Sequence, residues 1–290
     1  MTQSDTLSPA DLRTRLSDLV KTCDPTASTD FSRVPFQGNQ VANLGSFDLE
    51  IQKDKKDPDA NKIADYIRNK GELKNIVGLM NQTINIPYNI HVVTTSTNVG
   101  PIYNSDNKAI NLDYQLMEII FALYDQYYPK QSPENRLHYF NNVGRFLLYH
   151  ELGHALIDAY HLPVLGQQED AADALGAIIA LNYIKNGYHV LLDAADFFSL
   201  MEKTAASKEN AFWDEHALNK QRYYRLLCFA YGHNPKEVQA SITKHHQTQL
   251  NEFIKERGDY CKEDYDTVYH DWMGFLKPYF KILPTQAQGQ

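Results

Sequence analysis

Residues 149–154 read Tyr-His-Glu-Leu-Gly-His, and fifteen positions after His154 comes Glu169-Asp170-Ala171-Ala172-Asp173. Upstream, Ser132-Pro133-Glu134 joins a capping hydroxyl, a proline at the first helical position and an acid in the first turn. Apolar residues then recur through Val143, Phe146, Leu147 and Ile157 until Pro163, which predicts a long helix with 150–154 inside it. Asn141-Asn142 and Gly144 are where such a helix would kink or split. Side chains four residues apart project from one helix face, so His150 and His154 form two prongs, with Glu151 one step round.

Two prongs of this kind suit zinc, which takes imidazole nitrogens and, in catalytic sites, three protein ligands plus a water. Glu151 would then act as general base on the water that the metal acidifies. An ordinary helix with two solvated histidines has the same spacing, however. In a chain with 11 histidines, HExxH arises by chance in roughly one or two such sequences per hundred.

The second stretch shifts the balance. Pro163 and Gly166 punctuate the connector, and a new helix is expected from about Gln167 to Asn186-Gly187. On it Glu169 and Asp173 share a face with the small residues Ala172, Gly176 and Ala180, and Gly153 offers a matching gap on the first helix. Two closely packed antiparallel helices would bring Glu169 to the metal as third ligand. Asp173 would accept the far ring N–H of a ligating histidine. Taken alone, an acidic first turn is also what the helix dipole favours. The HExxHxxGxxH alternative fails, because Ile157 stands at the glycine position and Tyr160 at the third-histidine position. His161, one residue late, is the remaining alternative ligand.

Around this core the order is a few strands and then helices. "FDLEIQ" at 47–52, "NIHVVTTST" at 89–97 and "KAINLD" at 108–113 read as strands, with a helical stretch, "NKIADYIRNKGELKNIVGLMNQTI", between the first two. From Tyr114 on, the pattern is helical. The fold class is therefore α+β, a small mixed sheet followed by a helical majority, rather than a βαβ repeat. Residues 1–45, with one helix start at Ser8-Pro9, read as a flexible or loosely attached segment. Residues 46–283 read as a single catalytic domain in which 46–85 form an accessory element or part of the sheet, and 284–290 as a disordered tail.

The chain has 290 residues and a formal net charge of −8, which argues against a nucleic-acid partner. No apolar run approaches the roughly 20 residues of a membrane span. No signal peptide is visible, so the expectation is a cytoplasmic protein, export by a signal-independent route, or a leader already removed. Cys23, Cys228 and Cys261 are compatible with three free thiols or with one Cys228–Cys261 bridge.

HExxH followed by Glu169-x-x-Ala172-Asp173 resembles the gluzincin pattern of zinc peptidases. The run "YHELGHALIDAYHLPVLGQQEDAADALG" also resembles a bacterial metallopeptidase-like family catalogued as a domain of unknown function. Weaker similarity extends to "GPIYNSDNKAINLDYQLM" and "WDEHALNKQRYYRLLCFAYGHNP", and to "ERGDYCKEDYDTVYHDWMGFLKPY" near the end. This resemblance implies a zincin-like fold, zinc on His150, His154 and Glu169, Glu151 as general base, and a peptide or protein substrate. It further implies that the peptide lies along an edge strand, for which "KAINLD" is the candidate by chain order, and that Cys228 and Cys261 pair, which would point to an oxidising compartment. For the oxyanion that peptide hydrolysis generates, His216 is the first candidate and Tyr223 the second, with Arg222 as an anchor for carboxylates or side chains. The alternative reading is a zincin-like domain that binds a peptide or protein partner without cleaving it.

Overall fold

The computed structural model describes residues 45–54, 56–96, 100–205, 217–241 and 247–281. The Ser8-Pro9 helix, Cys23, His216 and the 284–290 tail lie outside them. The chain begins with strand β1 (Phe47–Ile51), followed by helices α1 (Pro58–Lys70) and α2 (Glu72–Thr83). The stretch that reads as helical in the sequence is helical here, as two helices. Gly71 separates them by taking a left-handed conformation, φ 68°, that closes α1 and opens α2, a backbone position that suits glycine. Asp57 caps α1 by accepting from the amides of Asp59 and Ala60.

Strands β2 (Ile90–Thr95), β3 (Ile102–Asn104) and β4 (Ala109–Asp113) complete a four-stranded sheet of order β1-β2-β4-β3. β1, β2 and β4 run parallel, while β3 pairs antiparallel with β4, placing Tyr103 opposite Ile110. The edge assignment therefore has to be corrected: "KAINLD" forms β4 in the interior of the sheet, and the edge belongs to the three-residue β3. Four of the five β4 residues are buried, as befits a strand covered on both faces.

Asp113 caps α3 (Tyr114–Tyr127), and Ser132 caps α4 (Pro133–Tyr160) by accepting from the amide of Asn135. α4 runs unbroken past Asn141, Asn142 and Gly144. It is buried on most sides, with Phe146, Leu148, Tyr149, Leu152 and Leu156 almost fully enclosed, so it is the central helix rather than an amphipathic surface one. It packs against α3, β3, β4, α5 (Gln168–Tyr183) and α6 (Tyr188–Ala205). α5 stops at Tyr183, short of Asn186-Gly187, where a turn with Asn186 at φ 57° leads into α6. The C-terminal part comprises α7 (Asn219–His233), α8 (Pro235–Ser241) and α9 (Gln247–Leu276). A Cys228–Cys261 disulfide joins α7 to α9, so these two cysteines pair as the family resemblance implied. Among the described residues no helix is long and apolar enough to cross a membrane.

Candidate metal centre

α4 and α5 approach backbone to backbone. A methyl group added at Gly153 would lie 3.0 Å from the Ala172 Cα, and one at Gly176 would lie 3.0 Å from the His150 amide nitrogen. As residue numbers rise on α4 they fall on α5, so the helices are antiparallel. The small residues at these crossings are the sequence feature that permits the approach, and they bring the start of α5 over the HExxH turn.

His150 Nε2, His154 Nε2 and the Glu169 carboxylate then converge. The two ring nitrogens are 3.2 Å apart. Glu169 Oε2 lies 3.1 Å from His150 Nε2 and 3.3 Å from His154 Nε2. Ligands about 2.0–2.1 Å from a tetrahedral zinc are separated by roughly 3.3 Å, so this triangle has the size such an ion requires. The donor set, two imidazoles and one carboxylate, is also one that zinc takes. Among the described residues it is the one group of three His, Cys, Asp or Glu side chains able to hold a metal.

The outer nitrogens of the two rings are committed elsewhere. His150 Nδ1 is 2.7 Å from Asp173 Oδ1, and His154 Nδ1 is 3.3 Å from Gln168 Oε1. An ionised carboxylate only accepts, so the Asp173 contact puts the hydrogen on His150 Nδ1 and turns the Nε2 lone pair toward the gap. Arg222 on α7 grips Asp173 in turn. Burial works against an ionised Asp173, but the Arg222 charge and the His150 hydrogen bond keep its carboxyl well below the usual range. Burial likewise opposes a charged His150 ring, and hydrogen bonds to Asp173 and Glu169 overcome it, so its pKa is raised. The same anionic surroundings that favour a proton in the gap would favour a cation.

Glu151 is buried beside the cluster. One oxygen lies 3.9 Å from His150 Nε2, and the other accepts the backbone N–H of Tyr103 at 2.6 Å. Burial raises its carboxyl, while the two histidines and that N–H pull it down. A buried carboxylate of raised pKa next to a cation site has the character of a proton acceptor.

The remaining sequence candidates fall elsewhere. His161 caps the end of α4 on the surface in a left-handed conformation, away from the donor triangle. Tyr223 packs edge-on against Tyr224 and lines a separate cleft of about 390 Å³ with Tyr128, Tyr139, Asp193 and Asp196. No residue of the triangle borders that cleft. Arg222 does anchor a carboxylate, but it is the protein's own Asp173. Tyr103 and Gln168 went unread in the sequence; Gln168 had one available signal, its place immediately before Glu169 at the start of α5.

No curated protein and no solved structure matches the chain. One family spans residues 52–276, most of the polypeptide, and carries the description "Putative metallopeptidase". With that match added to a His-His-Glu cluster of metal-binding size, the chain belongs to this family of putative metallopeptidases, DUF4344.

Proposed function

We propose that the protein is a zinc-dependent peptidase of gluzincin type with a zincin-like fold. The observation that carries this reading is the donor triangle of His150, His154 and Glu169 with the buried carboxylate of Glu151 beside it. Zinc held there would supply Lewis acidity to water and to the scissile carbonyl. Glu151 takes the proton released by the attacking water and passes it to the departing amine. Asp173 keeps the His150 ring in the tautomer that faces the metal, and Arg222 keeps Asp173 ionised. The substrate peptide lies along β3. The Tyr103 N–H is already engaged, but its carbonyl points the same way, as both groups of one strand residue do, and accepts a peptide N–H. His216 remains the candidate for stabilising the oxyanion, and the Cys228–Cys261 disulfide suits a protein of an oxidising compartment.

The test is metal analysis of the purified chain together with a Glu151→Gln variant and a broad set of fluorogenic peptides. One zinc per chain in both proteins, with cleavage in the wild type and none in the variant, is the expected result. Cleavage undiminished in the variant overturns the mechanism. Zinc retained without cleavage in either protein favours the non-catalytic peptide-binding reading.

A further inference from the structure

The carboxylate of Glu151 is held by a strand that has little to hold it in place. β3 spans three residues and pairs on one side only, with β4. Yet its Tyr103 N–H makes the 2.6 Å bond to Glu151 Oε2 that turns the other oxygen toward His150. A general base works only near its productive geometry, and a misplacement of about 1 Å costs up to roughly a hundredfold in rate. The edge strand therefore needs an anchor of its own.

The Tyr103 side chain provides one. Tyr103 lies across the face of α4, and its hydroxyl donates to Asp158 Oδ2 at 2.7 Å. Asp158 sits two turns beyond Glu151 on the same helix. Lys108 Nζ at 2.7 Å and the Tyr88 hydroxyl at 3.0 Å reach the same Oδ2 atom, and the Lys108 ammonium also lies 4.9 Å from the centre of the Tyr88 ring. Burial would raise the Asp158 carboxyl, but these three donors hold it below its ordinary value, so it is a charged acceptor whose hydrogen bonds are of the stronger kind. Tyr103 is thus fastened to α4 at two points, by its backbone to Glu151 and by its side chain to Asp158.

We propose that Tyr103 is a positioning residue for the general base, with Asp158 as its anchor: the Tyr103–Asp158 hydrogen bond fixes β3 so that the Tyr103 N–H orients Glu151. The catalytic part of this rests on the peptidase reading above, whereas the mechanical part does not.

Two measurements separate them. The first is amide hydrogen exchange at position 103 in the zinc-loaded protein, which needs no substrate. Exchange is slow in the wild type and speeds up at least about tenfold in Tyr103→Phe and Asp158→Leu. Asp158→Asn restores slow exchange, because all three donors converge on one oxygen that an amide carbonyl can replace. Unchanged exchange in Tyr103→Phe and Asp158→Leu overturns the proposal whether or not the protein cleaves anything. The second is steady-state cleavage of a fluorogenic peptide that the wild type hydrolyses. Tyr103→Phe lowers kcat about tenfold with a smaller change in KM and one zinc per chain, and Asp158→Asn stays near wild type. The hydrogen bond lost in Tyr103→Phe lowers the melting temperature by no more than a few degrees, so that the protein stays folded in the assay. Faster exchange with unchanged kcat, or a loss of zinc that accounts for the lost rate, reduces Tyr103 to a tether and overturns the positioning role. If no peptide is cleaved even by the wild type, the peptidase reading fails, while the exchange experiment still decides the mechanical part.

Discussion

Arg222 grips Asp173 with two nitrogens, Nε to Oδ2 at 2.8 Å and a terminal nitrogen to Oδ1 at 2.6 Å. Both side chains are almost wholly buried, and the guanidinium also lies 3.9 Å over the Phe198 ring. Removing one partner of such a pair leaves an uncompensated charge in the interior, at a cost of about 3–5 kcal/mol. Arg222→Ala is therefore expected to lower the denaturation midpoint. It should also weaken metal binding about 10–100-fold, the usual penalty for disturbing a group that orients a ligand. Denaturant titration and a competitive zinc titration check the two effects, and unchanged zinc affinity would break the link drawn from Arg222 through Asp173 to His150.

Gly176 and Gly144 make opposite predictions. A Cβ at position 176 meets the backbone of His150 and Tyr149 at 3.0 and 3.2 Å, and backbone cannot swing aside. Gly176→Ala should force α4 and α5 apart, destabilise the fold by about 1–3 kcal/mol and weaken zinc binding. A Cβ at position 144 meets nothing within 4 Å, so Gly144→Ala in mid-helix should stabilise by roughly 0.5–1 kcal/mol. Urea midpoints of the two variants provide the comparison.

Asp193 gives the protein a pH-dependent stability. Its carboxyl is pushed up to about 6, chiefly by burial and in part by Asp196, against the hydrogen bond from Asn142 and the charge of His138; His189 lines the same cleft. An unfolded aspartate titrates near 3.9. Between about pH 4 and 6 the folded state keeps a proton that the unfolded state has released, so stability falls as pH rises through this window. The full loss is at most about 3 kcal/mol, and partial solvent access reduces it. Asp193→Asn removes this contribution. Urea denaturation at pH 4.5 and 6.5 should show a smaller difference for the variant than for the wild type, and equal differences would contradict the assignment.

The Cys228–Cys261 bridge closes a separation of 33 residues, for which loop entropy predicts a stabilisation of about 3–4 kcal/mol. Reduction, or a double Cys→Ser variant, should lower the melting temperature accordingly. Because α7 also carries Arg222, zinc affinity should decline with it. An unshifted melting curve in reductant would show that the bridge contributes nothing.

The helical half of the site was legible because it obeys a local rule. His150 and His154 share a face by helical period, Glu169 and Asp173 likewise, and the small residues between them are the visible trace of a close crossing. What escaped reading depends on pairings that no local period encodes. Chain order alone puts β4 at the edge, and nothing in its own pattern announces that the three-residue β3 turns back to pair along its outer side. Tyr103 meets Glu151 across 48 residues and Asp158 across 55, and Arg222 meets Asp173 across 49. Each joins segments whose own patterns are satisfied without the other. Gly71 is a different case: its left-handed turn splits a stretch whose apolar residues keep helical spacing on both sides.

The shortness of β3 has a consequence for how the molecule meets other chains. Unpaired strand edges invite further strands, and long flat ones seed aggregates. Here the edge offers one outward N–H, already taken by Glu151, and one outward carbonyl. Such an edge can catch a passing polypeptide at a single point but cannot template a ladder. On this side of its sheet the protein can touch an extended chain without being built into it.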